Sequence, residues 1–134
     1  PALIHNIMIP GLEGAGGKMS ASNENNTVYT TDSQNVVKKK INKYAFSGGQ
    51  TSIEQHRKLG GNPDIDVSYQ YLRIFFEPDD DKLKTIYEDY KSGKLLSGEL
   101  KEILIEKINS FLVVHQEKRE KAKDKIEQFL FENK

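Results

Sequence analysis

The chain has 134 residues, 36% of them hydrophobic and 30% charged, with 20 basic residues balanced by 20 acidic ones. Net neutrality excludes a protein that coats nucleic acid through bulk positive charge, so any such contact has to be local. The lack of cysteine excludes a disulfide framework and a thiolate metal site, and is compatible with a reducing compartment.

A chain of this size supports one modest core with an appended piece. The apolar opening from Ala2 to Ile9 is too short to span a bilayer, lacks a basic leader and runs into glycine-rich sequence, so it gives no targeting signal. It starts at Pro1 inside what reads as a strand, and the expectation is a fragment preceded by further sequence.

The apolar run over 3–10, closed by Pro10, predicts a buried strand. From Gly11 to Asn26 glycine, serine and asparagine dominate, and the expectation is a mobile surface loop that buries no apolar surface. Thr31-Asp32-Ser33-Gln34 fits a capping box for a helix carrying Val36, Val37, Ile41 and Tyr44 inward and stopped by Gly48-Gly49. Thr51-Ser52-Ile53-Glu54 opens a short helix that Gly60-Gly61 ends. A third helix follows Asp66, presents Val67, Tyr71, Ile74 and Phe75, and ends before Pro78. Asp79-Asp80-Asp81 place negative charge at the start of a fourth, with Leu83, Ile86, Tyr87 and Tyr90 as its apolar stripe, broken at Ser92-Gly93. The longest helix runs from about Ser97 toward Phe129, apolar through Ile103, Ile108, Phe111 and Leu112 and strongly charged from Glu117 to Lys125, so only its first half is expected to be buried. The fold class is mainly α, a helical bundle on the remnant of an α/β domain.

Two phosphate-loop motifs fail on position. A P-loop ending at Lys18 would need glycine at Leu12 and a hydroxyl residue at Met19, and a dinucleotide fingerprint would need its third glycine at Met19. What remains is Lys18-Met19-Ser20-Ala21-Ser22, which resembles the KMSKS signature of class I aminoacyl-tRNA synthetases. Downstream come Ile41-Asn42-Lys43-Tyr44-Ala45-Phe46-Ser47-Gly48-Gly49, Glu54-Gln55-His56-Arg57, Gly60-Gly61-Asn62, Asp64-Ile65-Asp66-Val67-Ser68, Phe75-Phe76-Glu77, Asp79-Asp80-Asp81-Lys82-Leu83, Asp89-Tyr90-Lys91-Ser92-Gly93 and Gly98-Glu99-Leu100-Lys101. In order and spacing these blocks resemble the tryptophanyl-tRNA synthetase family of eukaryotic and archaeal type over nearly the whole chain. The AFSGG block separates it from the related tyrosyl enzymes.

The resemblance implies two domains, a C-terminal remnant of a Rossmann-like catalytic domain over 1–31 and an α-helical anticodon-binding domain over 32–134. It implies ATP with Mg²⁺ as a substrate complex, with Lys18, Ser20 and Ser22 on the phosphates and Met19 near the adenine side. A mobile loop of this kind brings an ammonium and hydroxyl donors onto departing pyrophosphate as it closes. Ala21 removes the second lysine of the generic motif, as in the eukaryotic-type enzymes. Gln50, Thr51 and Lys101 correspond to positions that approach the anticodon of tRNA(Trp). Relatives place Arg-Asp where this chain has Gln50-Thr51, so neutral groups replace a bidentate donor and a carboxylate. The residues that recognise tryptophan and the histidine motif that stabilises the transferring phosphate are expected upstream of Pro1, so the fragment alone is expected to be inactive. A cytoplasmic, homodimeric full-length enzyme is implied, with no membrane partner. The alternative is a stand-alone non-catalytic RNA-binding module.

Several other features have plainer readings. Lys38-Lys39-Lys40 with Lys43 either grip tRNA phosphates or form a solvated face. Asp79-Asp80-Asp81 lack the alternating ligands of a calcium loop and read as a helix cap. His56 and His115 lack a second histidine at ligand spacing and read as packed or half-exposed side chains. Tyr69, Tyr71, Phe75 and Phe76 read as core rather than as base-stacking platforms.

Overall fold

The computed structural model describes residues 8–129. Of the buried strand expected over 3–10, residues 3–7 lie outside the described residues; Met8 and Ile9 are not in a strand, Met8 is 79% exposed, and only Pro10 begins β1. Strands β1 (Pro10–Gly11) and β2 (Gly14–Lys18) form a small antiparallel hairpin with an irregularity between Pro10 and Gly11. The rest is mostly helical: α1 (Gln34–Tyr44), α2 (Ile53–Leu59), α3 (Val67–Tyr71) continued by a π-helical turn (Leu72–Phe76), α4 (Asp80–Lys91) and α5 (Ser97–Lys123), followed by a 3₁₀ turn (Ile126–Phe129). α5 is the central element, against which α1, α3, the π turn and α4 pack.

The helix starts follow local chemistry. Ser33, Ser52, Asp66 and Asp79 each accept backbone N–H groups of the turn they open, satisfying donors that have no partner within the helix; the caps of α1 and α2 are thus Ser33 and Ser52 rather than the Thr31 and Thr51 that a capping box would use. At α5 the Glu99 carboxylate reaches back to accept the Leu96 N–H at 2.7 Å. Gly60 ends α2 with φ of 73°, a conformation that costs other residues about 1 kcal/mol or more. α1 ends earlier than its glycines suggest, at Tyr44 with Ala45 as cap.

The core is Leu12 of the hairpin, Val37 and Ile41 of α1 with Ala45 at its cap, Val67, Tyr69 and Tyr71 of α3, Leu72 of the π turn, Leu83 and Tyr90 of α4, and Leu100, Leu104, Ile105, Ile108 and Leu112 of α5. Its members on α5 stop at Leu112, so the charged half stands clear of it, as the composition predicts. Four expectations are corrected. Leu12 is fully buried, so the glycine-rich segment does bury apolar surface: the hairpin turns Leu12 inward, its carbonyl accepting the Phe46 N–H at 2.7 Å. Val36 is 37% exposed, since Val37 and Ile41 take the inner stripe of α1. Phe75 is 51% exposed, because the Glu77 N–H reaches back five residues to Leu72 O, and this extra residue per turn puts Leu72 inward and Phe75 outward. Phe111 is 52% exposed at the edge of the core, against Phe76 and His115. Among the described residues no helix is long and apolar enough to cross a membrane.

Candidate functional site

Two groups of sequence-selected residues lie apart in the structure, the loop Lys18–Ser22 and the loop after Gly49.

The first is shaped by its carbonyls. Asn26 Nδ2 donates to Lys18 O at 3.4 Å, Thr27 Oγ1 to Ser20 O at 2.8 Å, and the Tyr29 hydroxyl to Ala21 O at 2.7 Å. The acceptors of the loop are thereby turned toward the following strap, residues 26–32, whose Asn26 and Thr27 are buried. The donors are left on the other side: Lys18 and Ser22 are exposed, Ser20 is partly so, and the two serine hydroxyls share a hydrogen bond of 2.7 Å. Met19 packs back against the core, into an apolar cleft of about 280 Å³ that Val28, Tyr29, Tyr71, Phe76 and Leu112 also line. A cation and two hydroxyls facing outward, with carbonyls facing in, form a surface suited to an oxyanion. The five residues offer no carboxylate, so the loop itself supplies no ligand set for Mg²⁺.

The second loop is fixed by a buried polar hub. Asp66, 1% exposed, accepts from Ser68 N at 2.9 Å and Tyr69 N at 3.3 Å on Oδ1, and from Gly48 N at 2.9 Å and the Tyr90 hydroxyl at 2.8 Å on Oδ2. Tyr90 is fully buried, which pushes its phenol up to about 12, and its oxygen also meets Ser97 Oγ at 2.9 Å and Ser47 Oγ at 3.3 Å. The buried His56 ring lies 5.1 Å from that of Tyr90. Its Nδ1 faces the Gln50 N–H at 3.4 Å, so the ring proton is assigned to Nε2, which donates to Leu95 O at 3.0 Å. The glycines between these groups are demanded by close approach: a Cβ at Gly48 would lie 2.0 Å from Asn62 O, and one at Gly49 2.1 Å from Ser97 Oγ.

On this platform Gln50 and Thr51 come together along a cleft of about 630 Å³ that also exposes Glu99 and Glu102. The Gln50 side chain donates to Gly60 O at 2.9 Å and Thr51 Oγ1 to Gln55 Oε1 at 2.7 Å. Lys101 is not brought into that lining. It is half-buried, its ammonium donates to Asn42 O at 3.3 Å in the last turn of α1, and burial pulls its pKa down while Asp66 opposes the shift. A cation at a helix C-terminus is favourable, so Lys101 also braces α1 against α5.

The lysine run divides. Lys38 pairs with Glu102 at 3.2 Å on the surface, Lys39 is exposed, and Lys40 turns inward to Asp32 at 2.8 Å. Neither the strap nor the hub is marked in the sequence as a site, because their partners lie many residues apart; only the Asp66 cap was visible locally. Among the described residues no group of three or more His, Asp or Glu side chains could hold a metal ion.

The family model described as "tRNA synthetases class I (W and Y)" matches residues 1–113, and the chain belongs to this family. It is 56% identical over 131 residues to the tryptophan–tRNA ligase of Sulfolobus acidocaldarius, covering 98% of this chain and 34% of that protein. It is 50% identical to the cytoplasmic tryptophan–tRNA ligase of Homo sapiens, covering 94% of this chain and 26% of that one. Among solved structures, a product-bound parasite tRNA synthetase matches with a TM-score of 0.83 and 50% identity over 87% of this chain and 31% of that one. The tryptophanyl-tRNA synthetase of Aeropyrum pernix matches with a TM-score of 0.81 and 40% identity over the same shares. The chain thus spans about a third of the length of the archaeal relative it matches.

Proposed function

We propose that the chain is the C-terminal part of a tryptophan–tRNA ligase, which activates tryptophan with ATP and Mg²⁺ and transfers it to tRNA(Trp). In this reading residues 1–31 are the end of the Rossmann-like catalytic domain and 32–134 the helical anticodon-binding domain. The observation that carries it is the display of Lys18, Ser20 and Ser22 by a loop whose Lys18, Ser20 and Ala21 carbonyls are tied to the strap behind it.

Attack of the tryptophan carboxylate on the α-phosphate releases pyrophosphate, and negative charge grows on the β and γ oxygens. Lys18 and the hydroxyls of Ser20 and Ser22 neutralise that charge as the loop closes, an interaction stronger in the transition state than in the ground state. Met19, anchored in the core on one side, lies toward the adenine. Gln50 and Thr51 read the anticodon at the rim of their cleft, where neutral amide and hydroxyl groups accept and donate to base edges. Lys101 contributes charge from the neighbouring face of α5. The cytoplasmic relatives support a cytoplasmic enzyme, and a homodimer is the assembly expected of the whole protein.

The test is tryptophan-dependent exchange of pyrophosphate into ATP. The full-length polypeptide carrying this sequence should be active, and Lys18→Ala should lower kcat by about 10²–10³-fold, the usual effect of removing one such electrostatic donor. The 134-residue chain alone should be inactive. A full-length polypeptide that binds tRNA(Trp) without catalysing exchange would refute the ligase reading in favour of a non-catalytic RNA-binding module.

A further inference from the structure

The strap between the Lys18–Ser22 loop and α1 is held from the α1 side by Lys40. Lys40 Nζ donates to Asp32 Oδ2 at 2.8 Å and to Thr27 O at 3.0 Å, and sits 4.4 Å from the centre of the Tyr29 ring. The ion pair is well shielded, with side chains only 12% and 11% exposed, so water and salt weaken it less than a surface pair. Asp32 Oδ2 also accepts the Tyr29 N–H at 2.9 Å, which leaves Tyr29 gripped at its backbone, its ring face and its hydroxyl. From α5, Gln116 Nε2 donates to Thr30 O and Asp32 O, both at 3.0 Å, closing the strap from the other side. The chain of contacts runs from α1 through Lys40 and Tyr29 to Ala21 O, in the middle of the loop.

We propose that Lys40 and Tyr29 are positioning residues that set the pose of the Lys18–Ser22 loop from helix α1. The proposal rests on the reading of that loop as the ATP-phosphate loop. Lys40 touches no substrate. It neutralises the shielded Asp32 carboxylate and fixes the Tyr29 ring, and the Tyr29 hydroxyl turns the Ala21 carbonyl inward so that the flanking serine hydroxyls stay outward. Lys39, one residue earlier and exposed, has no such role.

The experiment compares Tyr29→Phe, Lys40→Met, Lys40→Arg and the control Lys39→Met in the full-length polypeptide by pyrophosphate exchange, with active sites titrated. Tyr29→Phe keeps the ring and loses only the bond to Ala21, and should raise KM for ATP about three- to tenfold, the worth of one hydrogen bond. KM for tryptophan and Tm should stay unchanged. Lys40→Met should raise KM for ATP further, Lys40→Arg should recover most of it, and Lys39→Met should leave it alone. Unchanged ATP kinetics per active site in both Tyr29→Phe and Lys40→Met overturn the proposal, as does a loss confined to the amount of folded protein. If the unaltered polypeptide shows no exchange activity, the functional reading fails instead. Amide exchange in this chain then decides: Tyr29→Phe should speed exchange at Asn23, whose N–H donates to Ser20 O at 3.2 Å, and unchanged protection there overturns the proposal.

Discussion

Replacing Asp66 by Asn is the sharpest test of the hub that carries the Gly48–Thr51 loop. The carboxylate spreads four donors over two oxygens, and an amide keeps only one acceptor oxygen. If that oxygen serves Ser68 and Tyr69, the new NH₂ faces the Gly48 N–H donor to donor, while the Tyr90 hydroxyl can turn to donate elsewhere. One charge-assisted bond is lost, worth about 1.5–3 kcal/mol, and a buried N–H is left without an acceptor at about 1–3 kcal/mol more. A net loss of about 3–5 kcal/mol is a large share of the ~5–15 kcal/mol that stabilises a domain. At about 3 °C per kcal/mol for a chain of this size, Tm should fall by roughly 10–15 °C. Thermal and urea unfolding followed by circular dichroism at pH 7 measure it. Tyr90→Phe, which removes one bond to the same oxygen, should cost about 1–2 kcal/mol, and the double variant should cost less than the sum. A Tm change below about 3 °C for Asp66→Asn, or strict additivity, would show that Asp66 is not the support of this loop.

The glycines give an opposed pair. Gly49→Ala should destabilise by about 1–3 kcal/mol because its Cβ meets Ser97 Oγ and His56 Nδ1, at 2.1 and 3.0 Å. Gly98→Ala, in the first turn of α5 with nothing within 4 Å of the added carbon, should stabilise by about 0.5–1 kcal/mol in the same urea titration. Leu12→Ala should cost about 2–5 kcal/mol if the hairpin is part of the core, whereas a mobile loop there would give almost none. Acid should act through Glu77, whose pKa is lowered chiefly by the hydrogen bond from Lys107 at 2.8 Å. Its folded pKa lies below its unfolded one, so its contribution is present above about pH 4.3 and is lost as pH falls through the folded value. Glu77→Gln should therefore lower stability at pH 7 and flatten the decline below about pH 4, read as urea midpoints at several pH values.

What the sequence determined by itself is local. Ser33, Ser52, Asp66 and Asp79 open helices because a cap needs only a side-chain oxygen and the N–H groups two or three residues on, and Pro78 and Gly60 stop them for equally local reasons. The family was legible too, since its blocks are ordered along the chain. Tertiary structure decided the rest. Helical spacing nominated Phe75 for the core, but one π turn rotated it out and Leu72 in. Asp66 Oδ1 serves its own helix, whereas Oδ2 finds Gly48 and Tyr90, which lie 18 and 24 residues away. Lys40 is chemically the same as Lys38 and Lys39, and only the packing of the strap on α1 turns it inward to Asp32 while its neighbours face water. Caps and turns are satisfied within a few residues, so the sequence can specify them alone. A buried charge or a phenol needs partners that only the folded chain brings within reach.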